Sequence, residues 1–339
     1  MRTTPGTRCG SATIQGVAVG RFAPSPTGQL HVGNLRTALV AWLFARSAGS
    51  RFVLRIEDLD DRVSNRDHEA QQLDDLAAIG LDWDGEVVRQ SERFELYHES
   101  IRRLTGAGLT YACTCTRREI HEAASASHGE APEGAYPGTC LRLSAREQAA
   151  RRAEGRPAAI RLRAQVDTLD LIDRVHGPYT GIVDDVVLQR NDGVPAYNLA
   201  VVVDDATQGI DEVVRGDDLL PSTPRQLHLA DVLGLPRPVH AHVPLVLGVD
   251  GERLSKRHGS VTLADRRALG ESPDQVRSLL ALSLGLAEPG EPVTPAQLVE
   301  RFDPDRMPRD PWQLDPDGAR LSGSTVPHRP GDHDPREPH

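Results

Sequence analysis

Two stretches of this chain carry residue types that could manage a nucleotide. The first is Ser25-Pro26-Thr27-Gly28-Gln29-Leu30-His31-Val32-Gly33-Asn34, set between an apolar strand and a helix. The first amides of a helix have no intrahelical partner and the helix dipole is positive there, so such a junction binds anions. Gly33 lets an adenine or a phosphate approach the backbone. His31 can donate a hydrogen bond to a phosphate oxygen as charge builds on leaving pyrophosphate, and the Asn34 amide can donate beside it. The second stretch is Arg253-Leu254-Ser255-Lys256-Arg257, in a loop just after the turn Asp250-Gly251. Mobile cations beside a triphosphate can follow its charge through a transition state. Lys256, a compact charge on a flexible stem, is the strongest candidate. Taken singly, the first motif reads sooner as a strand–loop–helix with an incidental histidine, and the second as a solvated basic loop.

Other residues suit an amino acid and a metal. Arg55-Ile56-Glu57-Asp58 ends a strand, where ligands of open α/β sheets bind, and a carboxylate there suits an α-ammonium group. Arg21 and Arg215 each end another strand, and a guanidinium fork matches a carboxylate. A surface ion pair is the alternative for each. Tyr197 reads as a pocket residue or as a core tyrosine with a satisfied hydroxyl. Cys113-Thr114-Cys115 with Cys140 offers three thiols, and zinc favours four ligands of this kind. Tyr136, His121, His128 and Cys9 are the candidates for the fourth place, and ligand chemistry alone favours a histidine. Reduced, unmetalled cysteines are the other reading.

These groups need a frame. Val17-Ala18-Val19 reads as a strand, Gly33–Ala48 as a helix with Leu35, Leu39, Trp42 and Leu43 on one face, and Phe52–Ile56 as the strand closing a βαβ unit. Amphipathic helices follow at about 67–79 and 92–104. The polar stretch 122–135 reads as a loop. Strands are expected at Ile160–Arg163, Val186–Leu188 and Val201–Val203. Helices are expected from Thr223 to Leu233 and after Ser272-Pro273 and Thr294-Pro295. From about Arg309 the chain is rich in Pro, Asp, Arg and His, and disorder is expected. A formal net charge of −10 argues against non-specific binding to phosphate backbones, though not against a local basic groove. The four cysteines are too few for a disulfide framework in 339 residues. Apolar runs fall short of the roughly 18–20 residues of a membrane span, and a secretory signal is lacking. A cytoplasmic monomer with no membrane partner is the simplest expectation.

The run Arg21-Phe22-Ala23-Pro24-Ser25-Pro26-Thr27-Gly28, followed by His31-Val32-Gly33-Asn34 and Arg36-Thr37-Ala38-Leu39, strongly resembles the opening of bacterial glutamyl-tRNA synthetases. The HIGH signature of class I synthetases falls on residues 31–34, with Asn34 in place of the last histidine. The KMSKS signature falls on 253–257, with Arg253 in place of the first lysine. The resemblance covers roughly residues 17–265. It implies activation of glutamate by ATP to glutamyl-adenylate, with Mg²⁺ on the phosphates. His31 and Lys256 would be catalytic. His31, Gly33, Asn34, Arg253, Ser255 and Lys256 would hold ATP, and Arg21, Ser25, Glu57, Tyr197 and Arg215 the glutamate.

Tyr136-Pro137-Gly138-Thr139-Cys140 resembles the second half of the Cys-x-Cys…Tyr-x-x-x-Cys zinc site of one subfamily. That subfamily glutamylates queuosine in the anticodon of tRNA(Asp), independently of tRNA in the activation step. The likeness implies one structural Zn²⁺ on Cys113, Cys115, Tyr136 and Cys140. The short stretch after Lys256 points the same way, since glutamyl-tRNA synthetases carry a helical anticodon-binding region there. The implied architecture is α/β: a leader (1–16), a Rossmann-like parallel domain in two halves (17–105 and 186–247) split by a zinc-bearing insertion (106–185), the KMSKS-like loop with a short helical region (248–305), and a disordered tail (306–339). Two alternatives stay open: a truncated glutamyl-tRNA synthetase charging tRNA(Glu), and a non-catalytic paralogue binding tRNA or glutamate. A smaller nucleotidyltransferase of the same superfamily fits poorly, having no need of the Arg21, Glu57 and Arg215 set.

Overall fold

The computed structural model describes residues 18–116, 118–120, 136–259 and 261–315. The expected leader and the polar loop at 122–135 lie outside them, as do Cys9, His121, His128 and the chain beyond 315. Its twelve strands are β1 (Val19–Phe22), β2 (Arg51–Ile56), β3 (Val88–Arg89), β4 (Thr110–Cys113), β5 (Ala159–Leu162), β6 (Thr168–Asp173), β7 (Gly177–Ile182), β8 (Val187–Gln189), β9 (Glu212–Gly216), β10 (Val239–Val243), β11 (Val246–Leu247) and β12 (Trp312–Gln313). Seven of them form the central sheet, in the order β3-β2-β1-β9-β10-β6-β7. All its neighbours are parallel except the β6–β7 pair. The expected α/β class with a mainly parallel sheet is therefore present. Among the described residues no helix is long and apolar enough to cross a membrane.

Helix α1 (Val32–Ser47) follows β1 and buries nearly every side chain, Leu35, Leu39, Leu43 and Phe44 among them. A helix that is apolar around its whole circumference must be covered on all sides. The sheet covers one side, and the helices Pro273–Leu282 and Pro295–Arg301 cover the other. Buried Arg36 ties it to the second layer through Ser283 Oγ (3.0 Å) and the Pro244 carbonyl (2.8 Å). On the opposite face of the sheet a second core joins the helices Phe94–Gly106, Tyr197–Thr207 and Thr223–Leu233. Ser272 and Thr294 cap their helices with reciprocal side-chain bonds, as their Pro-containing sequences predict.

Four expectations need correction. Val201–Val203 is not a strand but the middle of the helix Tyr197–Thr207. Valine favours strands only where it fits a pleated surface, and here burial between two other helices decides. The first strand begins at Val19, two residues later than its apolar run suggested. The insertion is also smaller than 106–185. β6 and β7 join the central sheet through His240↔Asp173, while β8, expected in the second Rossmann half, pairs with β5 in the small sheet β4-β5-β8. Finally, residues 306–315 are not a loose tail. β12 pairs with β11, and Met307 and Leu314 enter the main core. Trp312 packs against that core as well, so three apolar anchors among the polar residues hold the segment.

Leu314 is 1% exposed. Leu314→Ala should lower the unfolding free energy by about 2–5 kcal/mol, as for other buried leucines. A urea midpoint equal to that of the parent chain would show that the 307–315 segment contributes nothing to the core.

Candidate active site

The strand β1, the loop after it and the start of α1 form one wall of a cavity of about 710 Å³. The loop is pinned from behind. Gln72, on the helix Arg66–Ala78, donates to the carbonyls of Ser25 (3.0 Å) and Gly28 (2.6 Å). His31 is the N-cap of α1. Its Nδ1 accepts from the Asn34 amide at 3.2 Å, and Asn34 Oδ1 accepts from the His31 amide at 3.1 Å. The Asn34 side-chain oxygen is thus occupied, which leaves its NH₂ group as the free donor. Burial, with the nearby Arg253, lowers the His31 pKa to about 4. The ring is neutral at pH 7, and because Nδ1 accepts, its proton sits on Nε2. A Cβ on Gly33 would lie 3.0 Å from the His31 ring, so glycine here also keeps the imidazole in place.

The basic loop reaches the same cavity. Val32 donates to the Val261 carbonyl at 2.7 Å and His31 bridges Thr262, so the chain beyond the loop is laced to the start of α1. Arg253 lines the cavity and is tied to Asp218 at 2.5 Å. Ser255 does not line it. Its amide is bound by His258 Nδ1 at 2.9 Å. Lys256 opens the short 3₁₀ turn Lys256–His258.

Arg21, Ser25, Glu57, Tyr197 and Arg215 all line this cavity, so the expected amino-acid set is brought together. Arg21 on β1, Arg55 on β2 and Arg215 on β9 stand on three adjacent strands, and all three are buried. Asp205 takes Arg55 at 2.7 Å and Arg21 at 3.4 Å. Arg55 also reaches Glu57 (3.4 Å) and Asp204 (3.7 Å). Arg215 differs: its partners are neutral, with Nε on His242 Nε2 (3.1 Å) and Nη2 on Thr223 Oγ1 (2.8 Å). Its Nη1 and the Nη2 of Arg21 have no protein partner among the described residues. Burial raises the pKa of Glu57 despite Arg55 and Arg21, and burial raises that of Tyr197. Sequence reasoning missed Gln72, Asp173, Asp204, Asp205, Asp218 and His242. The one local signal was the acidic pair Asp204-Asp205 at the end of a valine run, which is out of place in a strand.

A second cavity of about 540 Å³ shares Ser25, Thr27, Glu57 and Tyr197 with the first and runs towards the small sheet. Cys113 and Cys115 line its far side. The Cys113, Cys115 and Cys140 sulfurs lie within 4.8 Å of one another. The Tyr136 hydroxyl sits among them, 3.4 Å from Cys113 Sγ and 3.6 Å from Cys115 Sγ. A tetrahedral zinc with bonds of about 2.3 Å sets its ligands roughly 3.8 Å apart, so the four donors fit such an ion. Burial pushes the Cys115 thiol up to about 12. At Cys140 burial is outweighed by hydrogen bonds from Cys115 and the Thr114 backbone, which bring it down to about 7. The Arg161 guanidinium stacks 3.7 Å from the centre of the Tyr136 ring.

The model of the catalytic domain of class I tRNA synthetases (E and Q) matches residues 17–315. The chain belongs to this family. It is 62% identical over 299 residues to a glutamyl-Q tRNA(Asp) synthetase of Nocardia farcinica, covering 88% of this chain and 94% of that one. It is 49% identical to a glutamyl-Q tRNA(Asp) synthetase of Symbiobacterium thermophilum, over 91% and 99% of the two chains. Among solved structures, a glutamate tRNA ligase of Elizabethkingia meningosepticum in complex with its amino acid superposes with a TM-score of 0.72 at 29% identity. That match covers 88% of this chain and 66% of the ligase, so the chain spans about two thirds of the ligase's length. His31, Gly33 and Asn34 of the first stretch and Arg253 of the second border one cavity, which Arg21 and Arg215 reach from neighbouring strands of the parallel sheet.

The state of His31 can be measured directly. An NMR titration should give it a pKa near 4. Arg253→Ala should raise that value, since the arginine is one of its two depressing influences. A His31 that titrates near 6.5, the ordinary histidine value, would contradict the buried, capped ring.

Proposed function

We propose that this protein activates glutamate with ATP and transfers the glutamyl group to queuosine in the anticodon of tRNA(Asp). One observation carries the reading: the His31 cap, the Arg253 loop and the Arg21, Glu57 and Arg215 set surround a single cavity. The names of the two relatives above specify the acceptor.

In the first step the two arginine ends hold the carboxylates of glutamate and Glu57 holds its ammonium group. An α-carboxylate oxygen attacks the α-phosphorus of ATP, and the bond to pyrophosphate breaks. The His31 Nε2–H, Arg253, Lys256 and the first amides of α1 stabilise the charge passing to the leaving group. Gly33 and Asn34 border the nucleotide, and Ser255 holds the basic loop in shape. Magnesium travels with ATP as part of that substrate. In the second step a hydroxyl of the queuosine cyclopentenediol enters through the second cavity. It attacks the activated carbonyl, loses its proton, and AMP leaves. The wall shared by the two cavities, Glu57 and Tyr197, lies where carbonyl and acceptor must meet.

Cys113, Cys115, Tyr136 and Cys140 would hold one structural zinc. Bound there, the ion would staple β4 to the Tyr136–Cys140 segment, in a module with little apolar core of its own. Arg161 and Arg151, whose Nη1 is 3.8 Å from Cys115 Sγ, supply positive charge beside the anionic ligands.

Purified protein should exchange labelled pyrophosphate into ATP in the presence of glutamate and without tRNA. His31→Ala should slow this by about 10²–10³, the usual effect of losing a donor to a developing charge. With labelled glutamate, ATP and total tRNA, nuclease digestion should leave the label on the queuosine nucleoside. Label on the 3′-terminal adenosine of tRNA(Glu) would instead make it an aminoacylating enzyme. Failure of exchange would leave a binding protein.

Metal analysis should find one zinc per chain. Cys140→Ser should lose it, and Tyr136→Phe should release it to a chelator faster than the parent. Equal release rates for Tyr136→Phe and the parent would remove the tyrosine from the ligand set.

A further inference from the structure

Arg215 reaches the cavity from a network that the reaction itself does not use. His242 on β10 stands beside Arg215 on β9, in register across the parallel pair. Its ring is fully buried and lies between two groups of fixed polarity. Asp173 on β6 takes His242 Nδ1 at 2.7 Å and also accepts the His242 amide at 3.1 Å. Two further amides, of Val175 (2.9 Å) and His176 (3.0 Å), donate to the same carboxylate. Asp173 is therefore ionised, with its pKa held at about 2 against the cost of burial. An ionised carboxylate beside Nδ1 puts the imidazole proton there, and Nε2 becomes a bare acceptor.

We infer that His242 is a positioning residue for Arg215: oriented by Asp173, its Nε2 accepts Arg215 Nε–H and fixes the guanidinium so that Nη1 faces the ligand cavity. The inference rests on the reading that Arg215 binds a carboxylate of glutamate. Thr223 supplies the second fixed point. Its Oγ1 accepts from Arg215 Nη2 at 2.8 Å, and its own hydrogen goes to His242 Nε2 (3.1 Å) or to the Leu219 carbonyl (3.4 Å). Two anchors on Nε and Nη2 define the plane of a planar group completely. The remaining nitrogen is then pre-aimed, and little side-chain entropy remains to be lost when the anion arrives. A carboxylate in place of His242 would also anchor Arg215. It would neutralise the guanidinium, however, and compete with the substrate. A neutral acceptor orients the cation and leaves its charge for the ligand.

The test uses the full chain and glutamate-dependent pyrophosphate exchange, with KM measured separately for glutamate and for ATP. His242→Ala should raise the glutamate KM about tenfold, the effect of a lost hydrogen bond to a charged group, and move the ATP KM by less than about twofold. His242→Gln, whose amide oxygen can accept from Arg215, should recover most of that loss. Should His242→Ala lose its cooperative melt, Thr223→Val removes the second anchor in a side chain of nearly the same shape. It should raise the glutamate KM about threefold with the ATP KM unmoved. Equal rises in both KM values would overturn the inference, as would an unmoved glutamate KM in a folded variant or a glutamine variant no better than alanine. Arg215→Ala is measured alongside. If it leaves the glutamate KM unchanged, the underlying ligand assignment fails. If it raises KM while the His242 and Thr223 variants do not, the positioning role alone fails.

Discussion

The fold must bury positive charge at the carboxyl edge of a parallel sheet. Arg55, Arg21 and Arg215 occupy adjacent strands, where neighbouring chains lie only about 4.8 Å apart. Like charges this close, out of water, would be prohibitive without compensation. Asp204 and Asp205, both buried, come from the helix Tyr197–Thr207 to meet them. Asp204 also gathers Gln90, Arg93 and Tyr97, which attaches the segment 90–106 to the same point. One acidic pair thus joins the sheet to the helices behind it. Removing Asp205 would take from Arg21 its carboxylate partner, while Arg55 would keep Asp204 and Glu57.

Compensation is complete at Arg55 and incomplete towards the cavity. Arg21 shares Asp205 with Arg55 at a longer distance, and Arg215 has no carboxylate partner at all among the described residues. The gradient has a direction, from an arginine flanked by three carboxylates to one that has none among the described residues. Charge on the side lined by His31 and Arg253 is handled differently. There the histidine is neutral, and the positive potential comes from helix amides and from Arg253, held by a single exposed carboxylate.

How much of this was legible in the sequence follows from the same distinction. Residues that line the cavity were readable because they lie in contiguous motifs at element ends: His31 and Gly33 at the start of α1, Glu57 after β2, and Tyr197 opening its helix. The Tyr136 and Cys140 spacing was readable too, and the structure brings Tyr136 to the three thiols, while His121, His128 and Cys9 lie outside the described residues. The supporting residues were not legible. Asp173 and His242 are 69 positions apart and meet only because β6 and β10 are neighbours. Arg55 and Asp205 are 150 apart. The same long-range demand explains the error at Val201–Val203. Local propensity favoured a strand, but Asp204 and Asp205 must both point at the sheet, and successive residues of a strand point to opposite faces. On a helix, adjacent residues stay within about 100° of each other, close enough for both carboxylates to reach one arginine.

The small sheet extends this logic to the second cavity. Glu57 and Tyr197 are anchored to the central sheet and its helix, while Cys113 and Cys115 belong to a module with only a handful of apolar residues. The second cavity lies between these two bodies. Its shape therefore depends on how firmly the module is held, and among the described residues the module contributes no helix to the main core. Arg161 ties the thiol cluster to the small sheet: its Nη1 donates to the Asp185 carbonyl at 2.7 Å while its plane covers the Tyr136 ring. Asp185 in turn accepts from the Tyr111 hydroxyl at 2.6 Å and the Ala164 amide at 2.8 Å. A tyrosine among the thiols can do what a fourth cysteine could not, since its ring offers a face to this arginine while its oxygen faces the sulfurs. The thiol cluster and the wall of the second cavity are thereby parts of one packed unit, and disturbance of either should be felt in the other.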